Sequence, residues 1–249
     1  CMKKNALLII CLLQITSVVK AQTKEIDPAA TEIWNPVPKI ITAGKSAADA
    51  PSDAVQLFFA KKDSANWVSK NGKPFAWSVD DNSFMVKPGT GDIQSKQSFG
   101  DCQLHLEWKE PIVVKGEGQG RGNSGIFFMG RYELQVLDCY NNTTYSNGQT
   151  GSIYKQHIPL VNVCKAPGEW QTYDVIFTAP RFGKDSMLKS PARITVLQNG
   201  VLVQNNTQIW GPTEYRGIPK YIKHAEKEPF ILQDHGDLIT YRNIWVREL

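Results

Sequence analysis

Apolar and polar residues alternate in short runs from Val55 to the end of the chain, and turn residues separate the runs. Successive side chains of a β-strand point to opposite faces, so each run predicts a strand with one apolar and one polar face. Asn199-Gly200, between RITVLQ and VLVQN, is a strong hairpin signal. We find no helical apolar period sustained over three turns after residue 21. We therefore predict an all-β sandwich or barrel, folded as a single domain over residues 55–249.

The first 54 residues follow a different pattern. Two lysines precede an apolar run from Ala6 to Val19, and Val19-Lys20-Ala21 suits a signal peptidase, so we predict a signal peptide over residues 1–21 and export to the periplasm or beyond. The run is too short to cross a bilayer comfortably, and we expect no membrane span. Residues 22–54 are rich in Pro, Ala and polar residues without a sustained period, which predicts an extended N-terminal arm.

Charge and cysteine content exclude several classes of protein. Removal of the predicted leader takes away three lysines and no acid, which lowers the formal net charge from +4 to +1. So small a charge does not favour binding to nucleic acid. Three cysteines lie outside the leader, Cys102, Cys139 and Cys164. They allow at most one disulfide, whose pairing the sequence leaves open, and their spacing does not match a zinc site.

Three of the predicted strands carry an unusual set of polar residues on one parity. A solvated sheet face is the ordinary explanation for any one such strand. Solvated faces are dominated by Lys, Glu, Thr and Ser, whereas these positions hold acids, histidines, glutamines and an arginine and no lysine. Such side chains suit binding of hydroxyls and proton transfer. The positions are Gln103, His105 and Glu107 in CQLHLEW, Arg131, Glu133 and Gln135 in RYELQV, and Gln233 and His235 in ILQDHG, where Asp234 has the opposite parity.

Residues 120–125, GRGNSG, match the G-x-G-x-x-G pattern of dinucleotide-binding proteins. That reading requires a helix directly after the glycines, whose N-terminus would hold the pyrophosphate. The following IFFMGRYELQVLD predicts strand instead. We therefore expect no dinucleotide cofactor, and interpret the glycines as a tight loop beside a site.

Several long segments resemble the 3-keto-disaccharide hydrolase family. They include WSVDDNSFMVKPGTGDIQSKQSFGDCQLHLEWKEP, GRGNSGIFFMGRYELQVLDCY, GQTGSIYKQ and LQDHGDLITYRNIWVREL, and the resemblance extends from about Val55 to Leu249. It implies a concanavalin A-like jelly roll of two antiparallel sheets with a concave sugar-binding face. It also implies a secreted bacterial enzyme, a hydrolase or lyase, that cleaves glycosides already oxidised to a ketone at C3.

The chemistry of such a substrate suggests roles for the polar residues. A ketone at C3 acidifies the proton on C2, so a base can start an elimination that breaks the glycosidic bond, and addition of water then completes a net hydrolysis. We expect His235 or Glu133 as the base, Arg131 as the partner of the enolate, and Glu107 or His105 as the acid. Gln135, Gln233, Asn123 and Ser124 would bind hydroxyls, and Asp234 would orient His235 or cap the turn.

Three alternatives stay open from the sequence. Glu107 and Glu133 could act as the carboxylate pair of a conventional glycoside hydrolase, about 5 to 5.5 Å apart for retention or about 6.5 to 9.5 Å for inversion. A non-catalytic carbohydrate-binding module is less consistent with a face rich in acids and histidines. A divalent metal on His105, Glu107 and His235 would serve as a Lewis acid for the enolate, but no ligand-spacing motif supports it, and we expect a site without metal or cofactor.

Overall fold

The computed structural model describes residues 26–249, and strands dominate this part of the chain. The predicted leader, residues 1–21, lies outside the described residues. The strands are β1 (Val55–Phe58), β2 (Trp67–Ser69), β3 (Ser78–Val79), β4 (Phe84–Met85), β5 (Ile93–Phe99), β6 (Cys102–Lys109), β7 (Ser124–Phe128), β8 (Tyr132–Val136), β9 (Gln171–Thr178), β10 (Arg181–Phe182), β11 (Leu188–Ser190), β12 (Arg193–Gln198), β13 (Val201–Gln208), β14 (Glu228–Leu232) and β15 (Thr240–Glu248). Short 3-10 turns span Pro28–Thr31, Lys61–Asn66, Gly118–Gly120 and Ser146–Gly148.

The strands form two antiparallel sheets and a small ribbon. The larger sheet has eight strands in the order β13-β12-β9-β6-β15-β4-β3, with β1 also paired to β15. The smaller sheet has five strands in the order β2-β5-β14-β7-β8, and β10 pairs with β11 in the ribbon. Neighbours in these orders are mostly distant in sequence, as in a jelly roll. The prediction of an all-β, concanavalin A-like sandwich is confirmed.

The core lies between the two sheets and is built from the apolar parity of each strand. Leu104, Leu106 and Trp108 of β6 are buried there, and so are Tyr132 and Leu134 of β8. Because these residues alternate with the polar ones, the polar parity of each strand must face away from the core. The hairpin predicted at Asn199-Gly200 joins β12 to β13, and Asn199 adopts a φ of 52°.

Residues 41–249 form one compact unit, and the described part of the unit before it is residues 26–40. Residues 26–40 are exposed at every position and contain the 3-10 turn Pro28–Thr31. Residues 41–54 contain no strand and lie on the outer face of the larger sheet, where the carbonyl of Ala48 accepts hydrogen bonds from Asn243 and Trp245. No helix within residues 26–249 is long and apolar enough to cross a membrane. Cys102, Cys139 and Cys164 are free thiols.

Candidate functional site

A cavity of about 330 Å³ opens on the outer face of the five-stranded sheet. Its floor comes from the outward-facing residues of β7 and β8 and from the segment that follows β14. Two loops supply the walls. The lining residues are Asn123, Phe127, Glu133, Gln135, Tyr154, Thr213, Tyr215, Gln233 and His235.

Glu133 is the second residue of β8 and lies directly across from Phe127 of β7. Gly125 lies two residues before Phe127, on the same face of β7. A Cβ atom at this position would lie 2.7 Å from Oε1 of Glu133 and 3.1 Å from its Cγ. Real Cβ atoms essentially never lie so close to another heavy atom, so a side chain at position 125 would require the Glu133 carboxyl group to move. The glycine therefore leaves the space into which the Glu133 carboxyl group folds.

The environment of Glu133 favours its protonated form. The residue is only 5% exposed, and no residue among 26–249 donates a hydrogen bond to its carboxylate within 3.5 Å. Burial, assisted by the negative charge of Asp92, raises the pKa of Glu133 to about 8. A carboxyl group with a pKa close to neutrality can both accept and release a proton in a reaction.

Two side-chain amides leave polar atoms without partners in this cavity. Oε1 of Gln135 and Oε1 of Gln233 are buried and accept no hydrogen bond from the described residues. Nε2 of Gln135 is held by Oε1 of Gln119 at 3.1 Å and the carbonyl of Gly148 at 3.2 Å, which fixes the orientation of that amide. Unpaired buried acceptors are costly unless a ligand satisfies them. They therefore suit the hydroxyl groups of a polar ligand.

A loop segment along the free edge of β8 forms one wall of the cavity. The sequence analysis did not predict this wall. The segment after Gly151 runs along this edge: Leu134 forms a bridge with Ile153, and the amide of Tyr154 donates to the carbonyl of Glu133 at 3.2 Å. Tyr154 thereby stands beside Glu133, and burial raises the pKa of its phenol. Loop residues have no periodicity, so an isolated tyrosine in GSIYKQ gave no sequence signal for this position.

The loop after β13 supplies a second wall, held at the same free edge of β8. The hydroxyl of Thr213 accepts from the amide of Glu133 at 3.0 Å, and the amide of Thr213 donates to the carbonyl of Arg131 at 2.8 Å. These two bonds fix the loop over β8 and place Tyr215 at the cavity. Like Tyr154, Tyr215 lies in an irregular segment that no strand pattern could assign to a face.

The structure brings five of the ten predicted site residues to one cavity and places three others of the same sheet elsewhere. The five are Glu133, His235, Gln135, Gln233 and Asn123. Arg131 lies in the β7–β8 turn and is held by both carboxylate oxygens of Glu228, at 2.8 and 3.0 Å. Ser124 points into the core, where its hydroxyl accepts from Tyr241 and donates to the carbonyl of Gln233. Asp234 caps the turn by accepting from the amides of Gly91 and Gly236.

His105 and Glu107 do not share a face with Glu133, and that expectation is corrected. They lie on β6 of the larger sheet, and Nδ1 of His105 lies 2.7 Å from Oδ1 of Asp174, while Nε2 lies 3.7 Å from Oε1 of Glu107. Burial lowers the pKa of His105, but the two carboxylates outweigh it and raise the pKa to about 9. Burial raises the pKa of Glu107, but His105, Asn243 and Arg242 bring it down to about 2.

This arrangement excludes the pair of catalytic glutamates. Glu107 and Glu133 face outward from opposite sheets, and the whole core lies between them. Packed sheets are about 10 Å apart, so two outward carboxylates are farther apart than either hydrolytic geometry allows. For the same reason His105 and Glu107 cannot converge with His235 on one metal ion. Within residues 26–249 no cluster of three or more His, Cys, Asp or Glu side chains is arranged for a metal.

Comparison with known proteins agrees with this architecture. Residues 53–247 match the model of a family described as the 3-keto-alpha-glucoside-1,2-lyase-like domain. The solved structure of a "putative glycosyl hydrolase" from Parabacteroides distasonis is 50% identical, with a TM-score of 0.85 over 90% of this chain and 97% of that one. Another structure from the same organism and with the same name is 23% identical, with a TM-score of 0.53 over 79% of this chain and 99% of that one, which shows the fold alone. No curated protein matches the chain. The chain belongs to the family of 3-keto-alpha-glucoside-1,2-lyase-like domains.

Proposed function

We propose that this protein cleaves the glycosidic bond of 3-keto-glycosides by elimination, with Glu133 as the base. The observation that supports this most directly is the state of Glu133: a buried carboxyl group without a hydrogen-bond partner among the described residues, with a pKa of about 8, in a cavity with unpaired amide oxygens. A carbon acid beside a ketone needs a base of this strength, whereas a nucleophile or an oxocarbenium partner would be ionised and hydrogen-bonded.

The proposed reaction uses the groups around the cavity as follows. Glu133 takes the proton from C2, and the electron pair moves onto the C3 carbonyl oxygen as an enolate. The side chain of Gln233, which forms no hydrogen bond with the described residues, would donate to that oxygen, a role first expected of Arg131. Collapse of the enolate breaks the bond between C1 and the glycosidic oxygen, and His235 at the exposed rim would protonate the leaving oxygen. Addition of water to the resulting double bond completes a net hydrolysis.

The decisive test follows the C2 proton. Purified protein is incubated with methyl 3-keto-glucoside in deuterated water, and both cleavage and deuterium at C2 of remaining substrate are followed by NMR. We expect cleavage by the wild-type protein and a loss of about 10² to 10⁴-fold in Glu133→Gln, because general acid–base catalysis contributes about that much. Glu107→Gln is the matched control on the opposite face and should keep its rate once folding is verified by circular dichroism.

Each contrary result has a defined meaning. Faster release of the aglycone from the unoxidised glucoside would overturn the requirement for a ketone. Equal losses in Glu107→Gln and Glu133→Gln would overturn the assignment of the base. Saturable binding of saccharide without turnover of either substrate would favour a non-catalytic binding module.

A further inference from the structure

We propose that Cys139 and Cys164 form a disulfide bond under oxidising conditions, and that this bond restrains the cavity wall that contains Tyr154. The structure holds both cysteines as free thiols. Cys139 lies three residues after β8, and Cys164 lies in the segment that leads into β9. The sequence allows at most one disulfide outside the predicted leader and leaves its pairing open, whereas the fold brings these two residues together. This inference does not depend on the proposed reaction.

The side chain of Asn162 connects the backbones of the two cysteines. Its Nδ2 donates to the carbonyl of Cys139 at 3.0 Å, and its Oδ1 accepts from the amide of Cys164 at 3.0 Å. A single carboxamide group therefore spans the gap between the two backbones. A disulfide requires Cα atoms about 4.4 to 6.8 Å apart, which a gap of this size allows.

The two sulfur atoms also interact. A hydrogen bond between the thiols lowers the pKa of Cys139 and raises that of Cys164. Sγ of Cys139 accepts from the amide of Thr150 at 3.2 Å, and Sγ of Cys164 accepts from Nε2 of Gln198 at 3.5 Å. These donors hold the sulfur atoms in place. Their hydrogen bonds can persist after oxidation, because a disulfide sulfur keeps its lone pairs.

The third cysteine is not suited to compete for this bond. Cys102 begins β6 and is fully buried in the core. Burial, together with the negative charge of Asp101, raises the pKa of its thiol. A protonated, inaccessible thiol exchanges slowly with disulfides, so Cys102 should stay reduced.

The bond can form by exchange with an external disulfide, either oxidised glutathione or a thiol–disulfide oxidoreductase. Cys164 is the more exposed partner, since Cys139 is only 2% exposed, and exchange at Cys164 releases one thiol and leaves a mixed disulfide. The thiolate of Cys139 then attacks Sγ of Cys164 and releases the second thiol. Two cysteine sulfurs are oxidised, the external disulfide is reduced, and the two cysteine protons end on the released thiols. Disulfides persist in the periplasm and outside the cell, the predicted destination of this chain.

The bond would close a loop that includes one wall of the cavity. Residues 140–163 lie between the two cysteines and contain the segment 151–154, whose Tyr154 lines the cavity with Glu133. The amide of Gly151 donates to the carbonyl of Gln135 at 3.3 Å, which joins this segment to β8. Cross-linking the ends of the loop removes open conformations in which the segment leaves β8.

Peptide mapping tests the pairing. The purified protein is incubated with oxidised glutathione, unfolded, alkylated and digested with trypsin, which places the three cysteines in separate peptides, residues 97–109, 132–155 and 156–165. We expect 132–155 joined to 156–165, with the loss of two hydrogen atoms, and alkylated Cys102. Dithiothreitol should separate the joined peptides. Cys102→Ala is the matched control and should form the same link, whereas Cys164→Ser should form none.

Thermal unfolding and amide hydrogen exchange test the effect on the wall. The oxidised protein should unfold at a temperature about 5 to 10 °C higher than the reduced protein, as for closure of a loop of this length in a domain of this size. Hydrogen exchange at residues 151–154 should slow on oxidation and recover on reduction. Neither change should occur in Cys164→Ser.

Three results would overturn the pairing: a glutathione adduct that persists on Cys164, a cross-link that includes Cys102, or three alkylated cysteines after oxidation. A link between Cys139 and Cys164 that leaves hydrogen exchange at residues 151–154 unchanged would overturn its role at the cavity wall.

Discussion

Burial of the Glu133 carboxyl group has opposite effects on the stability of the fold and on the proposed activity. Its carboxyl group is buried and lacks a hydrogen-bond donor among the described residues, and ionisation of a buried, unpaired acid costs free energy. The same cost raises its pKa to about 8, where a base is strong enough to attack a carbon acid near neutral pH. Gly125 leaves room for the carboxyl group, because a Cβ atom at that position would lie 2.7 Å from Oε1 of Glu133.

Replacement of Glu133 by glutamine should therefore stabilise the fold in a pH-dependent manner. The folded-state pKa lies above the ordinary value of 4.5, so the wild-type protein loses free energy of unfolding as the pH rises from about 4.5 to about 8, by up to about 1.4 kcal/mol per pH unit. Glu133→Gln lacks that loss. We expect equal stabilities near pH 4 and a gain of about 2 to 4 kcal/mol for the variant at pH 9, measured by urea unfolding.

Comparing the wild-type protein with Glu133→Gln separates the effect of Glu133 on stability from the effects of other titrating groups. Glu110, whose pKa burial also raises to about 8, is present in both and cancels from the difference. Parallel stability curves over pH 4 to 9 would contradict the raised pKa of Glu133, and with it the main support for the proposed base.

Individual strands were predictable, but their assignment to sheets was not. The two-residue period of CQLHLEW and RYELQV correctly indicated which residues share a face of each strand. It cannot indicate which sheet a strand joins, because that depends on partners far away in sequence, such as β9 and β15 for β6. For that reason His105 and Glu107 were wrongly grouped with Glu133. The inward position of Ser124 could have been predicted from the sequence, since Ser124 shares the parity of Ile126 and Phe128.

On β6, the polar parity forms an ionic cluster instead of a cavity, and its stability should depend on pH. His105 has a folded pKa of about 9, raised by the carboxylates of Asp174 and Glu107, so its contribution is fully present below about pH 6.5 and is lost as the pH rises through 9. Asp174→Asn should lower the pKa of His105 and reduce stability at pH 6 by about 1 kcal/mol, a value discounted because the Asp174 side chain is 32% exposed.

NMR titration of the His105 ring in Asp174→Asn and in the wild-type protein measures the shift directly, and urea unfolding at pH 6 and pH 10 measures its effect on stability. The difference in stability should be largest at pH 6 and should shrink at pH 10. An unchanged His105 pKa in the variant would contradict the cluster as described. Cleavage of a 3-keto-glycoside by Asp174→Asn should stay at the wild-type rate, because the cluster lies across the core from Glu133.

At the scale of the whole molecule, the sandwich separates two polar faces with different tasks. On the outer face of the larger sheet, charged side chains pair with one another. This face also contacts residues 41–54, through the hydrogen bond from Trp245 to the carbonyl of Ala48 and the ion pair between Arg247 and Asp53. The outer face of the smaller sheet leaves a carboxyl group and amide oxygens unpaired among the described residues. Composition could not separate these faces, since both carry acids, histidine and glutamine. The distinction lies in the carboxyl groups: Glu107 accepts hydrogen bonds from Arg242 and Asn243, whereas Glu133 accepts none from the described residues.

If the two faces are independent, substitutions on each face should make additive changes in the free energy of unfolding. Asp174 and Glu133 lie on opposite outer faces, so their side chains share no neighbour and are separated by more than the spacing of about 10 Å between packed sheets. At pH 8 we expect Glu133→Gln to stabilise, Asp174→Asn to destabilise, and the double variant to equal their sum within about 0.5 kcal/mol. A double-variant cycle by urea unfolding measures this. A coupling free energy above about 1 kcal/mol would show that the core transmits strain between the sheets, and a change at β6 could then alter the cavity around Glu133.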